Sequence, residues 1–138
     1  MPDITFLVNP TPYQIQQIMA LYRMEGWWTE EPYDPDHVVR IVAGSHCFVL
    51  ASIEDQIVGM GRAISDGTSD AYLQDVTVKQ EYRRQKIGKK IVKALVSRLH
   101  RDGLKWIGLI AERGSHDFYK QIGFKKMPDS VPMLKTTP

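Results

Sequence analysis

The sequence predicts one α/β domain in which a mixed, mostly antiparallel sheet carries helices on both faces. Three observations lead there. Segments with strand-like and helix-like hydrophobic spacing succeed one another in the order β-α-α-β-β-β-α-β-α-β. The three strand-like runs in the middle are separated by short turn signals, which only antiparallel neighbours can use. The third of them leads through a loop into a long amphipathic helix and then another apolar run, the pattern of a βαβ crossover. At 138 residues, 43% of them apolar and 25% charged, the chain suits a single core and a single domain over 1–138.

The elements follow in chain order. ITFLVN (4–9) alternates and reads as a first strand. Thr11-Pro12 offers an N-cap followed by proline in the first turn, and Ile15, Ile18, Met19 and Tyr22 then share one helical face until Gly26 stops the helix. WWTEEPYDP (27–35) reads as an exposed loop, with more aromatic rings than solvation requires. DPDHVVRIVAG (34–44) resembles a short capped helix closing at Gly44. HCFVLASI (46–53) and QIVGMGRAIS (56–65) form a hairpin about Glu54-Asp55, and DGTSD (66–70) turns the chain into a third strand, AYLQDVTV (71–78). IGKKIVKALVSRLH (87–100) places Ile87, Ile91, Ala94, Leu95 and Leu99 at helical spacing, with Lys89, Lys90, Lys93 and Arg98 elsewhere on the cylinder. WIGLIA (106–111), apolar throughout, fits a central parallel strand; a short helix around HDFYKQIG and a last strand within 124–134 complete the order.

Charge is unevenly placed. The net charge is +2, yet residues 1–78 carry −8 and residues 79–138 carry +10. Such fields can draw an anion to the second half and a cation to the first, or can simply be solvated surface. Cys47 is the sole cysteine, so there is no disulfide framework; a buried, inert thiol in a reducing, cytoplasmic setting is expected. The four histidines show no metal-ligand spacing and no metal is expected, although His116, three residues before Tyr119, is an alternative proton carrier. No basic leader precedes an apolar core, and no apolar run approaches the ~18 residues that span a bilayer, so the chain reads as soluble, unprocessed and without a membrane partner.

The densest charge lies in EYRRQKIGKK (81–90), between the third strand of the meander and the long helix. A strand, a basic glycine-containing loop and a helix in succession make an anion site, because the first N–H groups of the helix are unpaired and its dipole favours negative charge. The loop has neither the nucleotide P-loop pattern nor the dinucleotide glycine pattern. Lys86, Lys89, Lys90, Lys93 and Arg98 could instead contact nucleic-acid phosphates. Against that, residues 83–101 lack interleaved aromatic rings, and the acidic first half repels a long polyanion, so no nucleic-acid partner is expected.

AYLQDVTVKQEYRRQKIGKK resembles the acyl-CoA-binding strand, loop and helix of the GNAT superfamily of N-acyltransferases, whose loop reads Arg/Gln-x-x-Gly-x-Gly/Ala. Arg83, Ile87 and Gly88 fit that pattern, and Lys86 stands where the first glycine is usual. Lys86 could crowd the approach of backbone amides to the diphosphate or add a cation to it. DFYKQIGF (117–124) resembles the family's FY-x-x-x-GF segment, and the likeness runs over roughly 46–126.

The resemblance implies a GNAT-like fold and an acetyl-CoA-dependent N-acetyltransferase acting on a primary amine. Val76, Thr77, Val78, Arg83, Arg84, Gln85, Lys86, Ile87, Gly88 and Lys89 become the acetyl-CoA contacts, with a backbone N–H near Val76 as oxyanion donor. Tyr119 becomes the general acid: its ordinary pKa of about 10 lets it protonate a thiolate of about 8.5, while an alkylamine of about 10.4 must lose its proton before attacking. Its alternative is an ordinary packed aromatic. Gln74 and Asp75 stand where polyamine acetyltransferases carry an acidic pair. Gln74 cannot act as a base; Asp75 can orient a cationic amine, act as a base through water, cap a turn or pair with an arginine. Tyr22, Trp27, Trp28 and Tyr33, with the carboxylates of Glu25, Glu30, Glu31 and Asp34, suit a small cationic amine as acceptor, or else staple the helix end and solvate the loop. Small members of the family often dimerise, which makes a homodimer the implied assembly. A CoA-binding protein that has lost catalysis is the remaining reading, suggested by Lys86.

Overall fold

The computed structural model describes residues 1–29 and 33–137. β1 (Asp3–Phe6) is followed by α1 (Pro12–Met24), α2 (Pro35–Gly44), β2 (Cys47–Ile53), β3 (Gln56–Ser65), β4 (Asp70–Val78), α3 (Ile87–Arg101), β5 (Trp106–Gly108) and α4 (His116–Lys120), with a 3₁₀ turn at Gln80–Tyr82. The local signals explain these bounds. Thr11 and Gln14 form a reciprocal capping box at the start of α1, and Gly26 beyond its end has φ 74°, which glycine adopts at no steric cost. At α2 the Asp34 side chain caps the N–H of Asp36 at 2.9 Å.

The five strands lie in the order β1-β2-β3-β4-β5, antiparallel except for the parallel pair β4-β5. Helices cover both faces. Ile18, Leu21 and Tyr22 of α1 and Val38 of α2 pack on Phe48, Leu50, Ile57 and Met60. On the opposite face, Ile87, Ile91, Val92, Leu95 and Leu99 of α3 pack on Val49, Val58 and Leu73. Each such side chain is worth about 1.5–3 kcal/mol when removed from water.

α3 comes so close to β3 because the facing positions are glycine. A Cβ at Gly61 would stand 2.9 Å from Ile91 Cγ2 and 3.1 Å from Leu95 Cδ1 and Val76 Cγ2. Gly61→Val is therefore expected to lower stability by about 2 kcal/mol through overpacking, read as a fall in the urea midpoint at unchanged slope.

Two sequence expectations fail at the end of the chain. WIGLIA forms only the three-residue β5, and it is the edge of the sheet rather than its centre. Its pairing with β4 covers Asp70–Tyr72 and stops at Gly108, where β5 ends. The strand expected within 124–134 does not form: Pro128 and Pro132 cannot donate ladder hydrogen bonds and Asp129 turns the backbone to φ 53°, leaving Val131, Met133 and Leu134 exposed.

Candidate active site

The site begins with an irregularity in β4. Met60 pairs with Thr77 and Arg62 with Gln74, so two residues, Asp75 and Val76, oppose the single Gly61. This is a β-bulge, and Asp75 at its first position has φ 57°. A bulge bends its strand and disrupts the ladder locally. Among the described residues no strand pairs beyond Tyr72 with the edge of β4 turned away from β3.

The bulge is fixed by its charge. Asp75 Oδ2 accepts hydrogen bonds from Arg62 Nε at 2.6 Å and from Tyr22 Oη at 2.7 Å. The two ionic side chains are 15% and 19% exposed, so the pair is largely dry. Of the roles the sequence left open for Asp75, pairing with an arginine is the one observed. Burial and then the neighbouring carboxylate drive the Tyr22 phenol far above its ordinary pKa, so it remains a donor. Gln74 receives a long contact, 3.4 Å, from the other end of Arg62.

At the far end of β4 the chain enters the basic loop. Arg84 and Lys86 both have left-handed backbones, φ 67° and 64°. Lys86 is the N-cap of α3 and gives it no side-chain cap, and the first turn holds no acid. The N–H groups of Ile87, Gly88 and Lys89 thus precede the first intrahelical bond, Lys90 N to Lys86 O at 3.1 Å. Left-handed geometry explains why glycine suits the Lys86 position; a lysine there costs about 1 kcal/mol. Arg83 turns back instead of outward: its Nε donates to Val78 O at 2.9 Å and its Nη2 to Glu25 at 3.2 Å. A Cβ at Gly88 would stand 3.3 Å from the Phe118 ring, so this glycine lets α4 close over the start of α3.

That closure positions Tyr119. Its ring lies edge-on to Phe118 at 5.0 Å and to Phe124 at 5.7 Å, packed against the core under α3. Burial, and secondarily the Glu112 carboxylate, raise the phenol pKa, which keeps its proton in place through the neutral range.

The aromatic cluster also assembles. Trp28 stacks on Tyr22 with centroids 4.4 Å apart and planes 8° apart, and Tyr33 and His37 pack beside it at 5.1 and 5.2 Å. Trp27 meets Tyr22 edge-on at 5.9 Å. One face of Trp28 is therefore taken, and the ring pins the start of the loop to α1. Glu30 and Glu31 lie outside the described residues.

Sequence reasoning placed Glu25 among the acceptor-side carboxylates but missed that it is the hub of the site and that Arg113 joins it. Glu25, at the C-cap of α1, is 12% exposed, accepts from Thr77 Oγ1 at 2.5 Å and from Arg113 Nη1 at 3.0 Å, and its backbone oxygen accepts from Arg113 Nη2 at 2.8 Å. It thereby joins α1, β4, the basic loop and the segment after β5. The available signal was the position of Arg113, in the loop that follows the carboxyl end of a parallel strand, where α/β sheets present functional groups. Among the described residues no group of three or more His, Cys, Asp or Glu side chains could hold a metal ion.

The model of the "Acetyltransferase (GNAT) family" matches residues 13–124. An uncharacterized N-acetyltransferase, ycf52, of Porphyra purpurea is 33% identical over 91% of this chain and 73% of its own length. The chloroplastic GCN5-related N-acetyltransferase 2 of Arabidopsis thaliana is 37% identical over 56% of this chain, a stretch that spans only 30% of the Arabidopsis protein. The solved structure of a GNAT family acetyltransferase from Streptococcus pneumoniae superimposes with a TM-score of 0.78 at 25% identity, covering 99% of this chain and 98% of the other.

Proposed function

This chain belongs to the GNAT acetyltransferase family, and from that premise we propose that it moves an acetyl group from acetyl-CoA, the co-substrate of the family, to the primary amine of a small cationic molecule. The observation that carries this reading is that the pairing of β4 with β5 ends at Tyr72, ahead of a helix start that has neither a capping side chain nor an acid in its first turn.

The residues fit such a co-substrate. The unpaired N–H groups of Ile87, Gly88 and Lys89 point where a diphosphate is favoured by the helix dipole, and Arg84, Gln85, Lys86 and Lys89 surround them. Acetyl-CoA supplies an activated acetyl thioester. The edge of β4 at Val76, Thr77 and Val78 that β5 does not pair receives an extended chain, as an unpaired strand edge can, with Val78 O already held by Arg83. The bulge takes the Val76 N–H out of the regular ladder, so that it can face developing negative charge on the acyl oxygen. Tyr119, held protonated, gives its proton to the departing thiolate. Trp27, Trp28, Tyr33 and Gln74 form the acceptor side, and Asp75 acts there through Arg62 and Tyr22, fixing the bulge. A homodimer and a reducing, cytoplasmic setting for the free thiol of Cys47 belong to the same proposal.

Two measurements test it. Desulfo-CoA is expected to raise the melting temperature, and a saturating DNA oligomer is not; the reverse would favour the nucleic-acid reading. Thiol release from acetyl-CoA is then followed across a panel of diamines, arylalkylamines and lysine peptides. Protection by desulfo-CoA with no release for any amine would leave a binding protein without catalysis.

A further inference from the structure

Glu25 holds two arginines, and they are held very differently. Arg83 is tied a second time, to Val78 O at 2.9 Å, and so belongs to the frame of β4 and its loop. Arg113 reaches in from the segment after β5. Among the described residues its recorded polar contacts all go to Glu25, and its side chain is 64% exposed against 12% for the carboxylate. Its backbone is also left-handed, φ 54°, followed by Gly114 at φ 75°, a tight turn from which the side chain reaches Glu25.

The topology makes this a bridge. Thr77, on the unpaired stretch of β4, binds one oxygen of the Glu25 carboxylate, and Arg113, on the chain that has left β4, binds the other. The ion pair thus ties the end of α1 to β4 and to the segment after β5. The carboxylate and Thr77 are shielded, while Arg83 and Arg113 are 51% and 64% exposed; Arg113, whose contacts go to Glu25 alone among the described residues, is the solvated partner of a kind whose ion pairs contribute little, about 0–1 kcal/mol.

We propose that Arg113 is an internal stand-in for the acceptor: the ammonium of the incoming amine takes its place on Glu25, so that Arg113 sets how strongly a cationic acceptor binds. The exchange swaps one positive charge for another, and the carboxylate is never left unpaired, which would be the costly step. Trp27, two positions beyond Glu25 in the chain and only partly buried, offers a ring to the methylenes or the charge of the newcomer. This inference rests on the reading of the acceptor as a cationic amine.

The test exploits opposite signs. Arg113→Gln removes the competitor, and the KM for a diamine should fall by up to about fivefold, the factor that corresponds to 1 kcal/mol. Glu25→Gln keeps the acceptor oxygen for Thr77 but loses the charge, and the KM for the same amine should rise tenfold or more; in both variants the KM for acetyl-CoA should stay within twofold. A brace with no part in recognition would lower kcat and melting temperature in both variants and move the amine KM in neither or in the same direction, which would overturn the proposal. A binding readout independent of turnover is the fluorescence of Trp27 and Trp28 in a Trp106→Phe background, titrated with 1,4-diaminobutane and with the neutral 1,4-butanediol. Tighter binding of the diamine alone in Arg113→Gln supports the exchange even if Glu25→Gln fails to fold; equal or weaker binding refutes it. Diamine binding that depends on Arg113 in this way, with no thiol release from any amine, would sink the acetyl-transfer reading and leave the exchange standing.

Discussion

Tyr119→Phe is expected to lower kcat about 100-fold, the lower end of what a positioned general acid contributes, while the KM for acetyl-CoA and the melting temperature hardly move. The ring makes the packing: its edge-on contacts with Phe118 and Phe124 survive in phenylalanine. Only the hydroxyl is lost, and with it, on the proposed mechanism, the proton for the leaving thiolate. The pH dependence follows from the direction of the shift. Burial first, and Glu112 second, raise the phenol above its ordinary value of 10.0, so the native side chain is still protonated where a free tyrosine would begin to ionise. No loss of rate from this group is therefore expected below pH 10.0. Above it, the unfolded chain gives up the proton more readily than the native one, and stability falls as pH rises. Wild-type kcat in the phenylalanine variant would remove Tyr119 from the mechanism.

Asp75→Asn is expected to cost about 2 kcal/mol of stability. Breaking a fully buried ion pair costs about 3–5 kcal/mol because the remaining charge is stranded, and the 15% and 19% exposure of Arg62 and Asp75 reduces that. Asparagine isolates the charge. It tolerates the left-handed backbone that the position requires nearly as well as aspartate does, and its oxygen still accepts from Tyr22. Urea denaturation gives the stability change, and steady-state rates well below the transition show what the folded variant retains. Because Asp75 acts here by holding the bulge, kcat at low temperature should stay within about tenfold of wild type, whereas a general base would cost 10²-fold or more.

Much of the fold and part of the site were legible in the sequence for local reasons. The capping box at Thr11 and Gln14, the stop at Gly26, the hairpin at Glu54-Asp55 and the amphipathic α3 each depend on residues within one or two turns of each other. The basic loop was legible too, since its chemistry comes from the order strand, loop, helix. Lys86 was legible only as a departure; that its backbone is left-handed explains the departure and its cost. The final strand misled because an apolar composition at 124–134 outweighed two prolines in the reading.

The sequence by itself therefore determined the succession of elements as far as α4, the crossover and the acid-free start of α3, because periodicity, caps and turn residues act over a few neighbouring positions. Only the tertiary structure decided which charges meet. Tyr22 and Asp75 are 53 positions apart, Glu25 and Thr77 are 52, and Glu25 and Arg113 are 88. Those meetings depend on the register between β3 and β4, whose bulge sets where Asp75 and Thr77 stand relative to α1, and no local pattern encodes that register.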